Sequence, residues 1–216
     1  MADSKHFDPD AVLDTVVEVF WRQGMVGTGI QGLVTATGLS RSSLYATFGT
    51  KDRLYAAALR RYIERHSAPA FARVAGAGTG LAAVEEFFAA LVEYRCSGGY
   101  AGWGCLITNA HAGPECEDPV VRDLLDRHHR HLHEALRAAL VTAGRLGQLH
   151  PAADPDAGAA VLAALAYGVN LRSRAGADAA SLTAVVESVL APLRAPRPPG
   201  APETRDSPET RDRKSP

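Results

Sequence analysis

The stretch SRSSLYATFGTK (Ser40 to Lys51) carries hydroxyls, one arginine, one lysine and two aromatic rings within three helical turns. Those side chains suit contacts to a polyanion. If Leu44 and Phe48 (i, i+4) face inward, Arg41, Tyr45 and Thr47 are left to point outward. A narrow helix of that kind enters a DNA major groove about 12 Å wide, where an arginine can bond guanine in a bidentate manner. Ser40, Tyr45 and Thr47 suit phosphate oxygens. Lys51 begins the next helix, where free amides and the helix dipole already favour an anion. Thr28 stands in the same kind of place before another short helix. From Ser40 to His66 six cations face two anions, +4, whereas Met1 to Leu39 carries two cations and five anions, −3. Binding to phosphates needs such a local patch more than a large net charge.

Two other groups invite chemistry. RHHRHLHE (Arg127 to Glu134) places His129 and His133 at i, i+4 and His128 and His131 at i, i+3. Either pair can share one helix face with a divalent metal. Two imidazoles seldom suffice, and Arg127 and Arg130 repel a cation, so no metal site is expected. The three cysteines, Cys96, Cys105 and Cys116, are odd in number and form no C-x-x-C pair. They predict neither a disulfide framework nor a zinc site. H-E-x-x-H, a phosphate loop and a nucleophile motif are all absent from the sequence, so an enzyme is not expected and no cofactor is called for.

The elements that must position these residues are helices. Alanine is abundant, and alternating strand patterns are missing. Net charge is −1 over 216 residues. No apolar run reaches the roughly 18 residues of a membrane span, and the N-terminus lacks a signal-type apolar core. A cytoplasmic location with no membrane partner is the simplest expectation. Helices are predicted from Pro9 to Gly24, after Thr28 to Gly38, from Ser40 to Gly49, and after Thr50 toward Ser67. Further helices are expected at about 81–95, 103–111, 119–144, 155–175 and 178–192, with Gly76 to Gly80 as a flexible joint. From Ala195 the chain is polar and proline-rich, and PETRD occurs twice. That composition predicts disorder.

Three short helices with tight glycine joints, then a longer one, form a helix-turn-helix pattern. The segment FWRQGMVGTGIQGLVTATGLSRSSLYATFGTKDRLY (Phe20 to Tyr55) resembles the DNA-binding domain of the TetR family of transcriptional regulators. The resemblance rests on F-x-x-x-G, T-G-L-S, S-x-x-x-L-Y-x-x-F and T-K-D-x-L, and covers roughly residues 10–60. It implies DNA contacts from Thr28, Ser40, Arg41, Ser43, Tyr45, Thr47 and Lys51, with Leu44 and Phe48 as packing residues. Gly29, Gly32 and the acids Asp8 and Asp10 depart from the family's usual residues at their positions.

The resemblance implies an all-α fold of about nine helices. Residues 1–50 would form the DNA-binding domain, 51–66 a connecting helix, 67–194 a ligand-binding and dimerisation domain, and 195–216 a disordered tail. A single reading helix spans few base pairs, so two modules about one DNA turn apart are needed. AGAAVLAALAYGVNL (Ala157 to Leu171) and LTAVVESVLAPL (Leu182 to Leu193) are the apolar helices expected to pair two copies. GCLITNAHAGPE (Gly104 to Glu115) is similar to the C-terminal domains of a TetR subgroup that includes repressors responding to electrophiles and oxidants. Candidate effector contacts are Tyr94, Trp103, Cys105, Asn109, His111, Tyr167 and Asn170. The expected function is a repressor released from a pseudo-palindromic DNA operator by a small-molecule effector. An activator, or a redox- or electrophile-sensing regulator through Cys105, is the alternative on the same fold, and a helical metal-binding protein or enzyme using the histidine cluster is the more distant one.

Overall fold

The computed structural model describes residues 7–196. The expectation of disorder in the tail falls outside them from residue 197 onward. Among the described residues ten α-helices follow one another: α1 (Pro9–Gly27), α2 (Ile30–Thr37), α3 (Arg41–Phe48), α4 (Lys51–Tyr62), α5 (Ala68–Gly76), α6 (Leu81–Cys96), α7 (Leu106–His111), α8 (Pro119–Arg145), α9 (Pro155–Arg174) and α10 (Ala179–Leu190). All nine expected helices are present, and α5 is additional.

Side-chain caps set most starts. Asp8 Oδ1 accepts the Asp10 amide at 2.9 Å. Ser40 Oγ accepts from Ser43 N at 3.1 Å and Thr50 Oγ1 from Arg53 N at 3.3 Å. Asp118, Asp154 and Asp178 cap α8, α9 and α10 in the same way. Each cap satisfies an amide that has no partner within its helix. The backbone of α1 leaves helical angles at Gly24, where the sequence places its end. The helix expected at 103–111 starts only at Leu106, because a loop with three positive-φ glycines, Gly98, Gly102 and Gly104, precedes it.

α4 does not stop near Ser67. A π-helical turn, Ile63–Ser67, carries it on into α5. Pro69 explains the widened turn, since it has no N–H for the carbonyl four residues back at Arg65. The glycine joint that follows is pinned at its end, where Leu81 N donates to Gln148 Oε1 at 2.8 Å.

Two apolar cores result. The first joins Val16, Phe20, Leu33, Leu44, Leu54 and Leu59 of α1–α4 to Leu106, Ile107 and Ala110 of α7 and Val121, Leu124 and Leu125 of α8. The second packs α5, α6, the rest of α8, α9 and α10 around Phe88, Leu136, Leu140 and Leu162. α8 therefore belongs to both, and the helix-turn-helix is packed directly on the body.

Candidate DNA interface and effector cavity

α3 shows the division the spacing predicts. Leu44 is fully buried and Phe48 packs at the edge of the first core. Ser40 and Arg41 are exposed, and Ser43, Tyr45, Thr47 and Lys51 are half-buried. The Arg41 guanidinium lies 5.3 Å from the centre of the Tyr45 ring. Among the described residues neither Arg41 nor Lys51 has a carboxylate within ion-pair distance. Both cations are free for an outside anion.

The structure corrects two expectations about this face. Thr28 is fully buried, and its hydroxyl donates to Gly24 O at 2.6 Å. It closes α1 from inside and does not offer its side chain to a phosphate. The positive patch is also shorter than the sequence count implies. Arg61 grips Asp14 through Nε at 2.6 Å and Nη2 at 3.0 Å, and Arg65 lies 3.9 Å from the same carboxylate. Arg61 holds the Asp14 carboxyl below its ordinary pKa. The acids of α1 thus pair with Arg61 and Arg65, while Arg41, Lys51, Arg53 and Arg60 have no carboxylate partner among the described residues.

Behind this unit a cavity of about 910 Å³ opens between the π turn, α5, α6, α8 and α9. That size suits a small-molecule site. Tyr94, Cys105, Tyr167 and Asn170 line it. Trp103, Asn109 and His111 do not. Trp103 packs edge-on against Trp21 at 5.6 Å under the Arg22 guanidinium. Asn109 spends its amide on Trp103 O at 2.9 Å, and exposed His111 meets Tyr167 Oη at 3.4 Å. These three brace the loop and the outside of the wall.

The wall also holds groups that sequence reasoning missed. Arg95 closes α6 and reads in sequence as an ordinary cation at a helix C-terminus. It is buried instead, with Nε donating to Asn170 Oδ1 at 2.6 Å and Nη2 to Tyr62 Oη at 3.0 Å. Burial first, then Cys105 beside it, raises the Tyr62 phenol pKa well above its ordinary value. His66 stacks on Tyr62 at 4.8 Å, and burial followed by the Arg95 charge lowers its pKa. His128 faces the cavity with Nε2 3.1 Å from Ser67 Oγ, whereas His129 and His131 are exposed. The His128–His131 pair is therefore split between inside and outside. Among the described residues no three metal-ligating side chains come together. The histidine spacing concealed one inward residue among outward ones, and only the apolar flank Leu124, Leu125 and Leu132 marks its face.

Trp21 ties the cavity to the helix-turn-helix. Its Nε1 donates to Gly104 O at 2.9 Å, its ring stacks on Tyr100 at 4.8 Å and meets Tyr62 edge-on at 4.9 Å, and the Arg95 guanidinium lies over it at 5.4 Å. α1, α4, α6 and the loop before α7 converge on this indole.

Comparison with known proteins agrees with both halves of this arrangement. Residues 12–58 match the model for bacterial regulatory proteins of the tetR family, and residues 80–189 match a tetracyclin repressor-like C-terminal domain. The chain is 29% identical over 190 residues to the HTH-type transcriptional repressor ComR of Escherichia coli, covering 86% of this chain and 89% of ComR. It is 31% identical over 150 residues to the HTH-type transcriptional regulator YezE of Bacillus subtilis, covering 69% and 77% respectively. A cysteine mutant of the TetR family regulator CifR, solved with a 26-bp operator DNA, superposes with a TM-score of 0.78 at 27% identity, over 89% of this chain and all of CifR. The two matched segments cover the helix-turn-helix and the helical body in turn, and the chain belongs to the TetR family of DNA-binding transcriptional regulators.

Proposed function

We propose that the chain is a cytoplasmic repressor, not an enzyme, that binds a pseudo-palindromic operator as a homodimer and leaves it when a small molecule fills the cavity. Residues 1–50 read the DNA, 51–66 connect, and 67–194 receive the effector and the second copy. The observation that carries this reading is one continuous helical rod. It begins at Lys51, next to the α3 face, and further along Arg65, His66 and Ser67 of its π turn line the cavity. A ligand that prefers one position of that end biases the spacing of the reading helices. The exposed stripe Ala157, Ala160, Val161, Ala164 and Leu171 on α9, beside Val185 of α10, supports the second copy. Small residues there allow close approach of another helix pair.

Ser40, Arg41, Ser43, Tyr45, Thr47 and Lys51 are the proposed DNA contacts. A mobility shift with the DNA upstream of its own or a neighbouring gene tests them. Arg41→Ala should cost about 1–3 kcal/mol and relax specificity at one base position, and Lys51→Ala should weaken binding to all sequences and lower the salt slope by about 1. Unchanged binding in both variants sinks the reading.

A second reading, effector sensing through Cys105, is favoured by one observation. The structure sets this buried cavity-lining thiol beside Tyr62 and the Arg95 cation, which sequence alone keeps apart. Labelling of the native protein by a small electrophile tests it, and a thiol silent until unfolding refutes it.

A further inference from the structure

The cavity wall contains a cation that the described residues do not neutralise. Arg95 is 6% exposed, and among the described residues no carboxylate lies within 4.0 Å of it. Both of its hydrogen-bond acceptors, Asn170 Oδ1 and Tyr62 Oη, are neutral, and buried Nη1 has no partner among the described residues. A guanidinium has five donors and stays protonated. The rings of Trp21 and Tyr94, at 5.4 and 5.1 Å, soften the burial without supplying a charge. Buried charges are ordinarily paired, because leaving one alone is costly.

A second buried atom on the same wall also lacks a partner. His128 is 5% exposed, its Nε2 is taken by Ser67, and its Nδ1 is unpaired. Between these polar points the wall is apolar, with Phe71, Phe87, Leu91 and Leu132. The remaining charged side chains at the cavity, Arg65, Arg73, Glu86 and Glu93, are exposed and screened by water. A neutral ligand would leave the guanidinium uncompensated. An inorganic anion would leave the apolar wall unfilled.

We infer that the cavity takes an amphipathic organic anion, a carboxylate on an aryl or medium-chain alkyl body, with its head on Nη1 of Arg95 and its body against Phe71, Phe87, Leu91 and Leu132. The inference rests on the effector reading of the cavity and specifies the ligand's chemistry. Its consequence for signalling is direct. The guanidinium that receives the anion also holds Tyr62 of α4 and lies over Trp21 of α1, so occupancy competes with contacts that position the helix-turn-helix.

Trp21 and Trp103 are the two tryptophans of the chain and stand 5.6 Å apart in this cluster, so intrinsic fluorescence reports occupancy. The experiment titrates 4-phenylbutyrate and octanoate, each against its neutral amide, into the full chain, reading emission and melting temperature. The acids should bind at least about tenfold tighter than the amides, since a hydrogen bond to a charged group is worth more than one decade. Arg95→Met should erase that preference, and Arg95→Lys should keep part of it. Equal binding of acid and amide, failure of both acids to saturate at millimolar concentration, or a preference surviving in Arg95→Met overturns the inference. Should Arg95→Met fail to fold, the wild-type acid-to-amide ratio decides alone. Operator binding by the ligand-free protein is measured beside it. Loss of DNA binding defeats the repressor reading, whereas intact DNA binding without acid preference defeats only the anion.

Discussion

Gly104 accepts the Trp21 indole N–H at the contact between α1 and the body, and its own backbone packs closely against α7 and α9. Its φ is +66°, a region where an L side chain costs about 1–2 kcal/mol. A Cβ there would also stand 3.0 Å from Asn170 O, 3.0 Å from Asn109 Oδ1 and 3.2 Å from Arg174 Cβ. The Asn170 carbonyl belongs to α9 and accepts from Ser173 Oγ at 2.9 Å, so it cannot swing aside. Crowding of this kind adds about 1–3 kcal/mol. Gly102 supplies a matched control, because its φ is +73° and a Cβ there meets nothing within 4 Å. Gly102→Ala should therefore cost about 1–2 kcal/mol and Gly104→Ala about 2–5 kcal/mol. Urea denaturation of both variants, followed by circular dichroism, reads the difference. Equal losses in the two would refute the close approach at Gly104. Retained Trp21 emission in Gly104→Ala would show that the Trp21 bond to the Gly104 carbonyl survives the crowding.

His128 makes a pH-dependent prediction. Burial first, then the charges of neighbouring histidines, lowers its pKa to about 3 from an ordinary 6.5. The unfolded chain then binds the extra proton between those values, so stability rises with pH and is lost as pH falls from about 6.5 toward 3. At pH 5 the loss from this residue is about 2 kcal/mol, and the stability gap between wild type and His128→Gln should shift by that amount between pH 7 and pH 5. A gap independent of pH would show that His128 can charge in place. Val161 is 55% exposed on α9. Val161→Glu should leave the thermal unfolding of a monomer nearly unchanged and raise the dimer dissociation constant by tenfold or more, by about 1.4 kcal/mol or above, in sedimentation equilibrium. An undisturbed dimer would move the interface elsewhere. Trp21→Phe removes the bond to Gly104 O, and should cost about 1–2 kcal/mol for the stranded buried carbonyl, checked by the same denaturation.

The helix-turn-helix was legible because its information is local. Ser40 and Thr50 cap, Leu44 and Phe48 are four apart, and glycines close each turn, all within a few residues. The cavity was half legible. Tyr94, Cys105, Tyr167 and Asn170 were recognisable as polar or reactive residues inside apolar runs. Arg95 and His128 were not, because burial of a charged residue type is decided by helices distant in sequence. Arg95 meets Asn170 from 75 positions away and His128 meets Ser67 from 61. Thr28 failed for the opposite reason. Its position before a helix is what a phosphate contact requires, but the bend at Gly24 left a carbonyl that its hydroxyl satisfies internally. Charge counting overstated the patch because it ignored which acids of α1 lie against α4.

For the proposed release, the decisive property is that the two cores share walls. Trp21 belongs to α1, yet its partners are Tyr62 of α4, Tyr100, Trp103 and Gly104 of the loop, and Arg95 of α6. Its own carbonyl lies 3.4 Å from Arg174 Nη1 of α9. Packing this close transmits displacement, because dense interiors move between discrete arrangements and do not yield gradually. A ligand that pulls the Arg95 guanidinium by an ångström must move Tyr62 or break from it. Tyr62 is rooted in the rod that begins at Lys51. The same π turn that ends α4 gives that rod a place to bend, beside the cavity and not beside the DNA face. Effector and operator then act on one element at separate places, and the coupling is reciprocal: each changes the other's affinity by the same factor.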